Sequence, residues 1–379
     1  MDQRLTAEES RIVEVARGFA RDVVAPNAAA WEQARAMPRE ALSQAAELGL
    51  TGLLVPPDLG GSGIGVTAMA RVMEELASAC MAFTFSLVVH NNLARNIATN
   101  GTDEQKQRCL PDMLTAKRIG AFLLTELKGG SDAAAIATRA ERSGNDWRIN
   151  GEKGWISNAA EADILSVYAQ TDPALGWRGI ACFLIEADRP GVTREQPYGL
   201  MGGHALGTGG FRFDGCPATD ADILLPPERA FKGAMSGIDT ARLNVAAMCC
   251  GMLRAGLDCA LDYTANRRAF GQATSEFQGL QWMLADVATD LEAARLLAYR
   301  AAELLDADAD ATLAAAHAKK FATRVALARL ADCMQTMGAA GYRTEYPLGR
   351  HMASAKMAQY LDGTTEIQNV VISRQLWRA

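Results

Sequence analysis

Apolar residues along the first third of the chain recur with a helical period. Within LTAEESRIVEVARGFARDVV, the residues Ile12, Val13, Val15, Ala16, Phe19, Val23 and Val24 follow one stripe, as an amphipathic helix requires. Thr6 is followed three residues later by Glu9, the spacing of a capping box that starts such a helix. Further helical patterns cover 39–48, 66–79 and 84–98. PPDLGGSGIGV (56–66) interrupts them with Pro and Gly. Gly61 and Gly63 begin a G-x-G-x-x-G spacing, but its last position is Val66. The flanks are also helical, so the stretch is expected to be a surface loop and not a dinucleotide-binding turn.

The pattern then changes. WRINGEKGWISNA, ILSVYAQTD, IACFLIEAD and GFRFDG are short strand-like runs bounded by Gly, Asn, Asp and Pro. No long helix separates them, which favours an antiparallel barrel or sandwich over a parallel sheet. Helical spacing returns over 236–264, 276–306, 310–339, 345–358 and 365–376, lengths suited to a helical bundle. The expected fold is mixed α and β, in three units. These are an N-terminal helical domain (1–119), a middle β domain (120–227) and a C-terminal helical bundle (228–379).

Composition works mainly by exclusion. A net charge of −6 argues against a nucleic-acid partner. No run of 18 apolar residues occurs, so no membrane span is expected, and MDQRLTAEES lacks the basic start and apolar stretch of a signal peptide. The eight cysteines include no C-x-x-C pair, and the four histidines do not cluster with them, so no metal site is expected. Cysteines scattered over apolar segments read as core residues of a reducing compartment, which points to the cytoplasm.

Six stretches occur in a telling order: GTDEQKQRCLP (101–111), LLTELKGGSD (123–132), NGEKGWISNA (150–159), RRAFG with FQGLQWMLAD (267–286), QTMGAAGYRTEYP (335–347) and YLDGTTEIQ (360–368). Together they resemble the acyl-CoA dehydrogenase family of flavoproteins over essentially the whole chain. The resemblance implies an N-terminal helical domain, a middle β-barrel domain and a C-terminal four-helix-bundle domain. It also implies bound FAD, a homotetramer, an acyl-CoA or acyl-carrier-protein thioester as substrate, and an electron-transfer flavoprotein as electron acceptor.

A thioester carbonyl acidifies its α-carbon. In the reaction the resemblance implies, a base removes the α-proton while the β-hydrogen leaves as hydride to flavin N5. The family's base is a Glu before a Gly-Thr turn, and Asp362 stands at the matching position. A second family solution places the Glu just before an Arg on the first C-terminal helix; here that position is Ala241, before Arg242. Read without the resemblance, Asp362 is a cap for a helix beginning near Thr364 or Thr365. As a base between flavin and acyl group it should be desolvated, with its pKa raised. Asp is one methylene shorter than Glu, about 1.5 Å, and a misplacement of about 1 Å costs on the order of 10²-fold in rate. Backbone or substrate must therefore sit closer, or activity has drifted. Leu361 replaces a Tyr that commonly lines the acyl pocket. That substitution leaves open a bulkier, branched or alicyclic acyl group, or a carrier-protein thioester.

The resemblance assigns further roles. Phe122, Leu124, Thr125 and Ser131 belong to the loop that contacts the flavin ring, with Leu127 in place of the usual Pro and Gly129 in place of Ala. Trp155 and Ser157 flank the isoalloxazine. Arg267, Phe270 and Gln278 hold the diphosphate and adenosine, with Arg268 as the alternative to Arg267. Gln335 and Gly338 approach the same diphosphate from a neighbouring subunit. Thr364 and Glu366 are late flavin contacts. Ser131, Asp239, Arg242, Leu361 and Gly363 lie by the thioester or its channel, although Arg242 reads equally as an ion-pair partner. Two other classes stay open: a flavin monooxygenase on the same fold, and a non-catalytic subunit.

Overall fold

Thr6 caps the first helix reciprocally: its Oγ1 accepts the Glu9 N–H, and the Glu9 carboxylate accepts the Thr6 N–H. The computed structural model describes residues 5–377. Its first helices are α1 (Ala7–Phe19), a π-helical turn (Ala20–Val24), α2 (Ala25–Ala34) and α3 (Arg39–Glu47). The Pro/Gly stretch follows as a partly exposed loop whose Ile64 is buried. Next come α4 (Val66–Ala79), α5 (Met81–Asn100) and α6 (Asp103–Leu114). No pattern anticipated α6, which is highly charged and carries Pro111; a second capping box, Thr102 with Gln105, starts it.

Eight strands follow: β1 (Ile119–Leu123), β2 (Arg139–Ser143), β3 (Asp146–Ile156), β4 (Ala162–Gln170), β5 (Ile180–Glu186), β6 (Val192–Arg194), β7 (Gly209–Ala218) and β8 (Ile223–Leu225). They form one sheet in the order β6-β7-β3-β2-β4-β5-β8, with β1 on β4. Most pairings are antiparallel, as the short connections require. The pairings of β1 and β2 with β4 are parallel, because the long 124–138 segment carries the chain across between β1 and β2.

The remainder is α7 (Ala230–Asn266), a small hairpin of β9 (Arg268–Ala269) and β10 (Gln272–Ala273), α8 (Gln278–Asp306), α9 (Thr312–Thr336), α10 (Leu348–Ala358) and α11 (Thr365–Leu376). The sequence pattern left the hairpin unseen and began α7 six residues late. Helix α7 is long and apolar enough to span a bilayer, but 78% of its most apolar window is buried inside the protein. One continuous core joins α1, α4 and α5 to α7, α8 and α9. At its centre α4 and α7 touch backbone to backbone: a Cβ added to Gly251 would lie 2.1 Å from the Glu74 carbonyl oxygen. At the far end Asp306 closes α8 onto α4, accepting the N–H groups of Val66 and Thr67 at 2.6 and 2.9 Å.

Candidate functional site

Between α10 and α11 the backbone turns left-handed, with φ of 49° at Asp362 and 91° at Gly363. Gly takes this conformation freely and Asp tolerates it better than most residues. The cap of α11 is Thr364, whose Oγ1 accepts the Ile367 N–H at 3.4 Å. Asp362 is therefore not the helix cap that the sequence left possible. Both carbonyls of the turn are held from below. Arg242 Nε donates to Asp362 O at 3.3 Å. Lys319 Nζ and Gln368 Nε2 donate to Gly363 O at 2.8 and 2.9 Å. Arg242 is itself fixed by Asp239 at 3.0 Å, and the other oxygen of Asp239 accepts from Thr312 Oγ1 at 2.8 Å.

The carboxyl of Asp362 is treated differently. The residue keeps some exposed surface, but its Oδ2 is buried and has no hydrogen-bond partner. Burial pushes the acid up to about 6, against the opposing pull of Lys319 and then Arg242. A carboxylate with a free oxygen and a pKa near neutrality suits a general base. Leu361 is partly buried, its side chain packing against the helical core.

A second group gathers on the sheet. Gly154 N–H donates to Thr125 O at 3.2 Å, which brings Thr125 beside Trp155. Trp155 has a φ of 59° and is 56% exposed, and its ring meets Tyr198 edge-on at 5.1 Å. Phe122 is exposed and leans on Tyr168, and Ser157 is half-buried. The Leu124 side chain is buried in the core and its carbonyl accepts from Lys153 Nζ at 3.0 Å. Lys153 also pairs with Glu126 at 3.1 Å, wholly inside the protein. Glu126 in turn accepts the N–H groups of Ala137 and Thr138 and the Thr138 hydroxyl. Burial alone raises a carboxyl, but Lys153 and these hydrogen bonds hold Glu126 below its ordinary value. Burial pulls Lys153 down to about 8 while Glu126 pulls it back. The pair ties both ends of the exposed 127–132 loop, which includes Ser131, to β3. Motif reading missed Lys153, because a Lys between glycines in a strand looks solvent-facing.

A third group lines an open groove of about 610 Å³ that includes Arg267, Gln335 and Gly338. One chain thus brings together three residues, from two motifs, that the resemblance assigned to the diphosphate. Gly338 has a φ of 60° and open space where a Cβ would stand. Arg268 lies outside the groove, its guanidinium on Gly271 O at 3.0 Å. Phe270 projects from the hairpin at 97% exposure, Gln278 starts α8 in the open, and Glu366 is exposed on the first turn of α11. A flavin dinucleotide fits these donors. The sheet offers an exposed aromatic ring beside an exposed loop, and the groove offers a guanidinium, a carboxamide and a bare glycine to a diphosphate. Among the described residues no group of three or more His, Cys, Asp or Glu could hold a metal.

Known proteins resemble this chain in sequence and fold. The models of the acyl-CoA dehydrogenase N-terminal, middle and C-terminal domains match residues 6–117, 121–216 and 230–377. Mitochondrial short-chain specific acyl-CoA dehydrogenase of Homo sapiens is 37% identical over 369 residues, covering 97% of this chain and 90% of the relative. The structure of butyryl-CoA dehydrogenase from Megasphaera elsdenii superposes with a TM-score of 0.95 at 33% identity, covering 99% of this chain and 100% of that one. A chain in the structure of the electron transferring flavoprotein of Acidaminococcus fermentans superposes at 0.96, with 36% identity and full coverage of both chains.

Proposed function

The chain belongs to the acyl-CoA dehydrogenase family, and from that premise we propose that Asp362 is the base of its α,β-desaturation. The reaction is FAD-dependent acyl-CoA dehydrogenation. When bound, FAD supplies the acceptor for the β-hydride. The chain's own residues bind, orient and take the α-proton. The observation that carries the assignment is the buried, partnerless Oδ2 of Asp362 on a turn whose carbonyls are otherwise fully engaged. Ala241 holds the other family position, leaving Asp362 without a competitor by motif. Thr125, the Leu124 N–H, Trp155 and Ser157 would hold the isoalloxazine, and Arg267, Gln335 and Gly338 the diphosphate. The packing of Leu361 against the helices, together with relatives named for short-chain and butyryl substrates, favours a short acyl-CoA over a bulky or carrier-bound group. The monooxygenase reading is not favoured: oxygen chemistry has no need of an α-base.

We also propose a homo-oligomer, a tetramer by family resemblance, that delivers electrons to an electron-transfer flavoprotein. Arg242 lies beside Asp362, yet Arg267 ends the same uninterrupted helix, roughly 25 residues and 37 Å away at the rise of an α-helix. An extended dinucleotide does not cover that distance. The groove in one chain therefore serves a flavin whose ring lies in another, which supports the neighbouring-subunit reading. Eight free cysteines, six of them buried, support a reducing, cytoplasmic setting. The reading is tested by anaerobic titration with a panel of acyl-CoAs. Bleaching of the flavin by short straight-chain substrates is expected. Flavin that no acyl-CoA bleaches, but that air rapidly reoxidises once reduced, would restore the monooxygenase.

A further inference from the structure

Lys319 on α9 is 0% exposed, a costly place for an ammonium unless something compensates. Its Nζ donates to the Gly363 carbonyl at 2.8 Å. It forms no ion pair within 4 Å with the Asp362 carboxyl one residue away, whereas the other buried lysine, Lys153, contacts its carboxylate directly. The difference has a chemical consequence. A direct pair at 362 would occupy an oxygen that must accept a proton, and would drop the acid's pKa by about 1–3 units. A cation held on the next peptide occupies neither oxygen, yet its field still reaches the carboxyl. The same bond fixes the peptide that sets where the short side chain points, alongside the Arg242 grip on Asp362 O.

We propose that Lys319 is a positioning residue for the acid at 362: from the Gly363 carbonyl it both anchors the turn and keeps the carboxyl ionisable without pairing with it. The inference rests on Asp362 being the base. The charged and titratable groups around that acid are Lys319 from α9, Arg242 and Asp239 from α7, and Glu366 from α11. The Cys249 thiol of α7 faces Lys319, and burial pushes it up to about 12, so it stays neutral. Lys319 is therefore the ammonium that can be removed without dismantling the Asp239–Arg242–Thr312 chain. Burial pulls Lys319 itself down to about 8, with Asp362 pulling it back up, so it remains a cation where the acid titrates.

The test compares Lys319→Met, Lys319→Gln and Lys319→Arg with the parent holoenzyme. Two quantities are read across pH: anaerobic flavin reduction by butyryl-CoA, and the infrared carboxyl band assigned by difference against Asp362→Asn. Removing the charge in the Met and Gln variants should raise the Asp362 midpoint by about one unit. The Gln variant, which can still donate to Gly363, should lose less of its rate at alkaline pH than the Met variant. Arg should restore the parent midpoint. If the Met variant does not fold, the Gln midpoint decides alone. An unmoved infrared midpoint in a folded, charge-free variant overturns the proposal, even where activity is lost. Should Asp362→Asn itself reduce flavin normally, the base assignment fails instead. The two failures are thus distinguishable.

Discussion

The proposed base, Asp362, is one methylene shorter than the Glu of the family, and its surroundings bear on how it would act. The carboxyl is desolvated and poised near 6, so flavin reduction by substrate should rise with pH through about 6 as the base ionises. Asp362→Asn should keep FAD but lower the reductive rate by about 10²–10⁴-fold or more at neutral pH; stopped-flow bleaching measures it. Stability should move the opposite way. The folded state binds this proton more tightly than the unfolded chain, whose Asp titrates near 3.9. Stability is therefore lost as pH rises from about 4 to about 6. In FAD-free protein the Asn variant should melt above the parent at about pH 7, with the difference closing below about pH 4. A parent that is equally or more stable at neutral pH would show that the acid is solvated. Asp362 stands out by motif, but the contacts around its turn do not. Lys319 sits in HAKKFA, where two adjacent lysines look like a solvated helix face, and only the packing of α9 on the turn shows that one of them is buried.

At the scale of elements, legibility followed local signals. The bounds of α4 and α11 could be read to the residue, because Gly65 and Thr364 start them cleanly. Helix α6 was lost because its apolar positions are diluted by DEQKQR and Pro111. The β9–β10 hairpin was lost because two-residue strands carry no period. That hairpin separates two neighbouring arginines, turning Arg267 to the groove and Arg268 to Gly271. Arg267→Ala should weaken FAD binding by roughly 10–100-fold, the scale of a hydrogen bond to a charged group. Arg268→Ala should leave it nearly unchanged, and equilibrium dialysis distinguishes the two. The 127–132 loop depends on the Lys153–Glu126 pair, since Glu126 accepts two backbone N–H groups from beyond it. Lys153→Met leaves that carboxylate buried and unpaired, at a cost of about 3–5 kcal/mol. Denaturant melts should show it, with partial recovery when Glu126→Gln is added. No loss of stability in the single variant would mean that the pair is solvated.

For the whole molecule, the order helix, sheet, helix was legible because the apolar period changes twice along the chain. The contacts between these parts were not: Gly251 against Glu74 and Asp306 against the start of α4 join residues far apart in sequence. Sedimentation of the flavin-loaded protein should show a species larger than one chain, and an active, FAD-loaded monomer would contradict the oligomer. The length of α7 adds a thermodynamic consequence. If its two ends serve different flavins, cofactor binding and assembly are one coupled equilibrium, and each stabilises the other by mass action. Dilution alone should then release FAD, with the bound fraction depending on protein concentration even at fixed excess cofactor. Added FAD should in turn pull dilute chains back together.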